Sequence, residues 1–232
     1  MLNSFFMTLQ YNPLLDFIVK DLQSVNFIIL EEGHIMWQFL KEYISAPDTI
    51  GAIAPSSRHL AASMTASIDF DKARCIVEYG AGTGVFTREV AAGKRRDTTY
   101  IVIEQNDRFY EMLRKQFHGM PGVVLIHGDA GNVCGYLREQ GFSHADYIIS
   151  GLPFTSLPRQ VSRRILSQTQ KAMGTEGVFT TFQYTLLRKS FLEQYFNIQR
   201  IVRIWRNLPP AYVLHMKLKS CHARQISAND AV

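Results

Sequence analysis

The sequence contains little of what marks an exported, membrane-spanning or zinc-binding protein. Its three cysteines (Cys75, Cys134 and Cys221) form no C-x-x-C pair, which argues against a structural zinc site and for a reducing compartment. No basic stretch leads into an apolar core and a cleavage site, so we expect no signal peptide. No apolar run is long enough to span a bilayer, and neither a repeat nor a low-complexity linker divides the chain.

Acidic residues are scarce in the C-terminal third. Residues 1–150 hold 13 Lys and Arg against 17 Asp and Glu, whereas residues 151–232 hold 12 against 3, a net charge of +9. Such a basic part favours an anionic partner, either phospholipid head groups or nucleic acid. A solvated basic surface without a partner is the alternative. The length of 232 residues fits one sizeable domain.

Apolar runs and amphipathic stretches alternate from the first cysteine onward. This pattern predicts strands at 74–79, 99–104, 122–127, 145–150 and 176–183, and helices at 84–92, 107–117, 131–139, 159–172 and 186–194. Strand–helix alternation is typical of a doubly wound α/β fold with a mostly parallel sheet. Residues 198–205 and 211–218 have no helix between them and predict an antiparallel hairpin at one sheet edge.

Helices are also predicted before the first strand. Asn12-Pro13 is typical of a helix start, and apolar residues recur at helical spacing from there to Ile29. A second helix is expected over 34–44. A third, capped by Ser56 or Ser57, should run to about Ala66.

An acid near the end of the first predicted strand is followed by three alternating glycines. The segment from Glu78 to Gly84 reads E-x-G-x-G-x-G, which differs from the dinucleotide pattern G-x-G-x-x-G. The glycines let the backbone turn tightly and approach a ligand closely. A carboxylate at Glu78 would repel a pyrophosphate but suit an amino group. The segment therefore points to S-adenosylmethionine, whose methionine end is a zwitterion beside a sulfonium cation.

One further acid ends the second predicted strand, and another follows the third. Glu104 lies 20 residues after Gly84, where an acid in nucleotide-type α/β folds accepts hydrogen bonds from both ribose hydroxyls. Asp129 follows the third strand beside the small residues Gly128 and Ala130. An aspartate there can accept a hydrogen bond from the adenine amino group, although it could equally cap the next helix.

The fourth predicted strand runs into Ser150-Gly151-Leu152-Pro153-Phe154. It ends at the position where ligands bind in open α/β sheets. The segment resembles the (N/D)-P-P-(Y/F) and N-L-P-Y motifs of amino-group methyltransferases, in which acceptors orient the amine and the aromatic ring packs on the substrate. Gly151 is a departure, because adenine-methylating enzymes carry Asn or Asp in that position. Without the Asn or Asp side chain, the loop lacks a specific acceptor for the base, which disfavours adenine as the substrate.

Two more segments narrow the resemblance. They are Gly51-Ala52-Ile53-Ala54-Pro55-Ser56-Ser57 and Asn207-Leu208-Pro209-Pro210-Ala211. With the glycine segment and S-G-L-P-F, they are similar to the soluble bacterial phospholipid N-methyltransferases, over roughly residues 36–219. This resemblance implies the Rossmann-like class I methyltransferase fold, with a seven-stranded, mostly parallel sheet and a C-terminal antiparallel hairpin. It also implies stepwise methylation of phosphatidylethanolamine by in-line transfer from S-adenosylmethionine.

The resemblance also assigns residues. Ser56 and Ser57 would lie near the cofactor, the three glycines would cradle its methionine part, and the loop after the fourth strand would lie beside the methyl group. Asn207 and Tyr212 would border the head-group pocket, although Tyr212 could instead be packing. The expected catalytic set is Ser150, Gly151, Leu152, Pro153 and Tyr212. The expected cofactor set is Ser56, Ser57, Glu78, Gly80, Ala81, Gly82, Gly84, Glu104, Gln105, Asp129, Ala130 and Ser150; no metal is expected.

The resemblance further implies a membrane-contacting helical segment over 1–48, a methyltransferase domain over 49–220 and a tail over 221–232. It places the protein in the cytoplasm, in peripheral contact with the inner membrane face. An interfacial helix is usually basic on its polar face, but acids outnumber Lys20 here. Hydrophobic insertion, or packing on the domain or on a second copy, therefore replaces electrostatic docking by this segment. Basic residues elsewhere, such as Arg188, could supply the attraction.

Three alternatives stay open. The first is an rRNA or tRNA adenine N6-methyltransferase, which the basic C-terminal third and the N-L-P-Y-like loop favour, and which predicts salt-dependent RNA binding. The second is a small-molecule amine methyltransferase. The third is a cofactor-binding or membrane-binding module without activity, although no motif is visibly interrupted. The sequence leaves the oligomeric state and the general base open.

Overall fold

A computed structural model of the chain describes residues 55–205, 207 and 210–219. The helices expected between 13 and 44, the segment 1–48 and the tail 221–232 lie outside these residues. The proposed domain boundaries therefore stay a prediction. Within the described residues, no helix is long and apolar enough to cross a membrane.

Seven strands form one sheet in the order β3-β2-β1-β4-β5-β7-β6. The strands are β1 (Cys75–Tyr79), β2 (Thr99–Glu104), β3 (Val123–His127), β4 (Ala145–Ser150), β5 (Met173–Gln183), β6 (Phe196–Ile204) and β7 (Ala211–Leu218). Strands β1 to β5 are parallel, and β7 is antiparallel to both β5 and β6. The predicted fold class, mostly parallel with a C-terminal antiparallel hairpin, is confirmed.

Six α-helices lie in the described part of the chain. They are α1 (Pro55–Thr65), α2 (Val85–Gly93), α3 (Asp107–Phe117), α4 (Val133–Glu139), α5 (Arg159–Ala172) and α6 (Lys189–Leu192). A side-chain cap sets the start of α3, where the Asn106 side chain accepts a hydrogen bond from the Phe109 N–H. Helix α1 begins at Pro55, which is suited to a first helical turn, so neither Ser56 nor Ser57 is its N-cap.

The region between β5 and β6 differs most from the expectation. A helix over 186–194 is wrong, because α6 spans only Lys189–Leu192. Phe191 and Leu192 are both buried there, and the chain turns at once so that Phe196 can enter the sheet. Strand β5 also starts three residues early, because Met173 pairs with Ala145 of β4.

Both faces of the sheet are covered by apolar side chains. Strand β1 is fully buried along its length, with Val77 and Tyr79 in the cluster toward α4 and α5, and Ile76 in the cluster toward α1 and α2. Each fully buried large apolar side chain contributes about 1.5–3 kcal/mol to folding. Central parallel strands of this kind hold the loops at their ends in fixed positions.

The end of the sheet at which β1 to β5 terminate is called the carboxyl edge below. Because β7 is antiparallel to both β5 and β6, β6 runs in the same direction as β5. Strand β6 therefore also ends at this edge, and β7 begins there. Strands that end here carry the predicted site features at or just after their last residues: the glycine loop, Glu104, Asp129 and the S-G-L-P-F loop. The opposite end is called the amino edge.

Candidate active site

The glycine loop between β1 and α2 has the backbone conformation that only glycine adopts readily. Gly80, Gly82 and Gly84 have φ angles of 62°, 55° and 78°, all in the left-handed region. The Gly80 N–H donates to the Ile103 carbonyl of β2 at 2.8 Å, which ties the loop to the sheet. A Cβ on Gly82 would meet nothing within 4 Å. The loop therefore borders open space at the carboxyl edge.

Glu104 fixes this loop from the end of β2. One carboxylate oxygen accepts from the Gly82 N–H at 2.8 Å, and the other accepts from the Asn106 N–H at 2.8 Å. The side chain is only 7% exposed. A carboxylate oxygen has two lone pairs, so both oxygens retain capacity for a ribose hydroxyl. The ribose role of Glu104 stays a prediction, and the structure adds a bond to the glycine loop that the sequence did not reveal.

Asp129 lies after β3 with both of its carboxylate oxygens engaged. Oδ1 accepts from the Gly131 N–H at 2.7 Å, which caps the short 3₁₀ turn that starts at Ala130. Oδ2 forms an ion pair with Arg164 of α5. Sequence reasoning anticipated a capping role or an adenine contact but missed Arg164, which is distant in sequence. The adenine contact of Asp129 and the neighbouring role of Ala130, itself buried, stay predictions.

Glu78 lies beneath the glycine loop and is fully buried. Its Oε2 accepts from the Thr87 hydroxyl of α2 at 2.8 Å and from the Tyr100 hydroxyl of β2. Oε1 has no hydrogen-bond partner within the described residues. Burial raises the pKa of Glu78 to about 7, against the lowering effect of Tyr100 and Thr87. The contact of Glu78 with a ligand amino group stays a prediction, and Thr87 and Tyr100 are contacts that the sequence did not reveal.

The loops after β1 and β4 touch each other through Gly80 and Gly151. The Gly151 N–H donates to the Tyr79 carbonyl at 2.8 Å. A Cβ built on Gly151 would stand 2.5 Å from the Gly80 carbonyl oxygen, and a Cβ on Gly80 would stand 2.7 Å from the Leu152 side chain. The first contact is with backbone, which cannot swing away. Any side chain at position 151 would force these two loops apart.

Some residues of the loop after β4 face the site, and others are part of the core. Ser150 is fully buried, and its hydroxyl accepts from the Leu152 N–H at 3.2 Å. Leu152 and Pro153 are half-buried. Phe154 is 1% exposed and packs edge-to-face on Phe179. The expectation that this aromatic ring packs on the substrate is therefore wrong, because the turn directs it into the core.

A row of side chains on β5, β7 and β6 continues from this loop. Gln183, Tyr212 and Arg203 are paired across the three strands. The side-chain oxygen Oε1 of Gln183 accepts from the Thr155 N–H at 3.2 Å, which joins β5 to the loop after β4. The Arg203 guanidinium lies 5.3 Å from the Tyr212 ring centroid and 3.4 Å from that of Trp205. Tyr212 is half-buried, so it is both core packing and part of this row.

Other expected site residues lie at the same edge or nearby. Gln105 follows β2 and is exposed, Ala81 is buried in the glycine loop, and Asn207 is buried in the loop between β6 and β7. Ser56 and Ser57 belong to the first turn of α1; their side chains lie outside the described residues. Gln183 and Arg203 were missed, because only the pairing of β5, β7 and β6 brings them to Tyr212.

These residues fit S-adenosylmethionine. The glycine loop offers open backbone, the Glu104 carboxylate retains lone pairs, and the unpartnered Glu78 oxygen lies behind the loop. Such an arrangement accepts a cationic amino acid better than a polyphosphate, because both acids would repel phosphate. No group of three or more His, Cys, Asp or Glu that could hold a metal is present among the described residues.

Comparison with known proteins identifies the chemistry. The family model for ribosomal RNA adenine dimethylase matches residues 56–201. The ornithine lipid N-methyltransferase of Singulisphaera acidiphila is 30% identical over 174 residues, which cover 75% of this chain and 91% of that protein.

Solved structures agree on the fold. The N-methyltransferase NodS from Bradyrhizobium japonicum, in complex with S-adenosyl-L-homocysteine, matches with a TM-score of 0.59 at 12% identity over 79% of this chain and 98% of its own. A SAM-dependent methyltransferase from Aquifex aeolicus matches with a TM-score of 0.60 at 8% identity over 76% and 98%. The chain therefore belongs to the family of the ribosomal RNA adenine dimethylases and is a class I methyltransferase that uses S-adenosylmethionine.

Proposed function

We propose that the chain methylates the amine of a lipid head group, of the phosphatidylethanolamine or ornithine-lipid type, at the surface of a membrane. The similarity to the Singulisphaera ornithine lipid N-methyltransferase supports a lipid amine, because it extends over nearly that whole protein. The G-A-I-A-P-S-S and N-L-P-P-A segments and the basic C-terminal third support a phospholipid. Ethanolamine and ornithine head groups both present a primary amine beside a negatively charged group.

The observation that carries the choice of acceptor is the close contact of Gly151 with Gly80. An asparagine or aspartate at this position gives adenine methyltransferases a specific acceptor for the base. Here a Cβ alone would stand 2.5 Å from a backbone oxygen, closer than real Cβ atoms approach. The loop is therefore built without the adenine acceptor, which supports an aliphatic amine instead.

The residues of this chain position the amine for the reaction. When bound, S-adenosylmethionine supplies an electrophilic methyl group on its sulfonium. The amine must present a neutral nitrogen lone pair in line with that methyl, and holding it there supplies much of the rate. Backbone acceptors of the loop from Ser150 to Pro153 orient the N–H groups, and the Tyr212 ring belongs to the row that continues from this loop. The proton lost from the amine passes to water.

The ring of Tyr212 in this row and that of Trp205 beside it suit a head group that becomes more cationic. Ring faces attract cations, more strongly when desolvated, and here they already hold a guanidinium at 5.3 Å and 3.4 Å. Arg203 also offers a charge for the phosphate or carboxylate of the lipid head group. One row thus carries partners for both charges of a zwitterionic head group.

The test is methyl transfer from labelled S-adenosylmethionine into lipid in detergent micelles. We expect labelled lipid from phosphatidylethanolamine or ornithine lipid, and none from a matched lipid whose amine is acylated. Absence of transfer to either lipid, with cofactor binding shown by calorimetry, would contradict the proposed acceptor. Micelles are chosen because they do not require docking on a bilayer.

RNA adenine methylation is the second candidate, and the family match over residues 56–201 favours it. Phosphate contacts would then be made by the basic residues after position 150, and RNA affinity would fall steeply with salt. Transfer of label to adenine in ribosomal RNA, measured in the same reaction, would reverse the ranking.

A further inference from the structure

Two large apolar side chains stand out on the surface of the described residues. Leu187 is 71% exposed and Trp205 is 67% exposed, whereas Met120 and Ile201 are exposed by only 39% and 36%. Single exposed apolar residues are common, so their position decides their meaning. Leu187 follows β5 and Trp205 follows β6, and both strands end at the carboxyl edge.

Neighbouring contacts place Leu187 at the mouth of the site. The guanidinium of Arg188, the next residue, donates to the carbonyls of Phe154 and Leu157 at 3.2 Å and 3.4 Å. Both carbonyls belong to the loop after β4. Trp205 is held at the other end of this edge by its stack on Arg203. The two apolar side chains therefore flank the loop and the row that were assigned to the acceptor.

The charge around them is positive. From Gly151 to Trp205 the chain has eight Lys and Arg but only two Asp and Glu, Glu176 and Glu193. Glu176 pairs with Lys217 near the start of β5, at the amino edge, and Glu193 pairs with Lys189. Besides Lys189, which Glu193 holds, the basic side chains of this stretch near the carboxyl edge are Arg159, Arg163, Arg188 and Arg203.

At the amino edge, several basic side chains are held in ion pairs with acids. Lys72 pairs with Asp69 there, and Arg95 pairs with Asp97. An excess of positive charge beside exposed Trp and Leu is the composition of a surface that binds an anionic bilayer: the cations attract the head groups, while aromatic and aliphatic side chains enter the interface. The two strongly exposed apolar side chains both lie at the carboxyl edge, so this edge is the one that would face the bilayer.

We infer that Leu187 and Trp205 enter the interface of an anionic lipid bilayer, so that the carboxyl edge faces the membrane. This inference rests on the proposed function in one respect: a lipid whose acyl chains stay in the bilayer can present its amine only to the edge that faces the bilayer. Docking through this edge brings the loop from Ser150 to Pro153 to the level of the head groups. The basic side chains listed above supply attraction without any contribution from residues 1–48.

Trp205 is itself the probe of this inference, because the chain has one other tryptophan, Trp37. In the full chain with Trp37→Phe, we expect the emission of Trp205 to shift to the blue with phosphatidylglycerol-containing vesicles and to be quenched by brominated lipid. The reciprocal variant Trp205→Phe, which retains Trp37, separates this signal from insertion of the N-terminal segment. Cosedimentation with an unchanged Trp205 emission would overturn the inference, as would a failure to bind these vesicles at all.

Substitutions define the surface. Leu187→Ala and Arg163→Gln should each weaken vesicle binding severalfold, and together by about tenfold, with the loss from Arg163→Gln vanishing at high salt. The matched controls at the amino edge are Met120→Ala and Arg96→Gln, which should change nothing. Equal losses from the controls, or a Trp205 shift that depends on protein concentration without vesicles, would overturn the inference; the latter would assign the surface to a second copy of the chain.

The micelle assay separates this inference from the proposed function. Transfer in micelles without a Trp205 response on vesicles leaves the function standing and removes the docking surface. A Trp205 response on vesicles without methyl transfer in micelles supports the docking surface and contradicts the proposed function. Leu187→Ala should keep its rate in micelles while losing rate on vesicles.

Discussion

The carbonyl oxygen of Gly80 lies 2.5 Å from the point where a Cβ on Gly151 would stand. The two residues belong to loops that follow β1 and β4, and the Gly151 N–H also bonds to Tyr79. Contact between these loops sets both the shape of the cofactor loop and the position of the acceptor loop. A side chain at 151 would disturb both functions at once.

Gly151→Asn, which restores the residue type of adenine enzymes, is therefore expected to damage the protein rather than redirect it. Forcing a side chain into this contact should lower the free energy of unfolding by about 1–3 kcal/mol. Displacement of the loop by even an ångström should lower the rate of methyl transfer by about 100-fold. Denaturant melts and initial rates in micelles measure both.

Gly135→Ala is the matched control for Gly151. It lies inside α4, where a Cβ meets nothing within 4 Å, and alanine is the better helix former by about 1 kcal/mol. It should be neutral or stabilising. If Gly151→Asn were as stable and active as this control, the steric argument would fail.

Glu104→Gln tests the acid at the end of β2. The amide keeps one acceptor but places N–H donors against the Gly82 or Asn106 N–H. Loss of a charged hydrogen bond of this kind should weaken S-adenosylmethionine binding by about 10- to 100-fold, measured by calorimetry. Glu111→Gln on the exposed face of α3 removes only the surface pair with Arg114 and should bind normally. Matching losses in the two variants would rule out a specific role for Glu104.

Asp129→Asn and Arg164→Gln separate two explanations for the acid after β3. If Asp129 accepts from adenine, Asp129→Asn should reduce cofactor affinity about tenfold, because Oδ2 is replaced by a donor. Arg164→Gln breaks the same ion pair but leaves the carboxylate, so its loss should be smaller. Equal losses of cofactor affinity in the two variants would mean that Asp129 acts only through its ion pair with Arg164 and does not contact adenine.

Glu78 predicts a pH dependence of stability. Burial raises the pKa of its carboxyl to about 7 from an ordinary 4.5, so between these values the folded protein binds more protons than the unfolded chain. The free energy of unfolding should therefore fall as pH rises through this interval, by up to about 3 kcal/mol from this group, and then level off.

The variant Glu78→Gln stays uncharged and should flatten that fall. Glu89→Gln, on an exposed position of α2, is the control and should keep the slope of the original protein. Chemical denaturation at a series of pH values measures the difference. Parallel slopes for the original protein and Glu78→Gln would show that Glu78 is not titrating in this range.

Local patterns were enough to predict most of the fold. Alternation of apolar runs and amphipathic helices predicted every strand within three residues, because parallel strands buried on both faces carry continuous Val and Ile. The helix over 186–194 was wrong, because its buried pair Phe191 and Leu192 serves a turn into β6. Hydrophobic pattern alone cannot distinguish one helical turn from three.

The candidate site was predictable only where its chemistry is local. Gly80, Glu104 and Asp129 each lie at or just after the end of a strand, so the topology brings them to one edge of the sheet. The contacts of Gly80 with Gly151 and of Asp129 with Arg164 join residues far apart in sequence. The contact of Thr87 with Glu78 could have been predicted from sequence, because a threonine in the first helical turn after the glycine loop can donate a hydrogen bond to an acid at the strand end.

The most direct test is mass spectrometry of the lipids from cells that express the chain and are fed methionine with a deuterated methyl group. The account predicts one or more deuterated methyl groups on the amine nitrogen of an aminolipid, and their absence with Gly151→Asn. Unlabelled aminolipids, together with deuterated N6-methyladenine in the ribosomal RNA of the same cells, would contradict it.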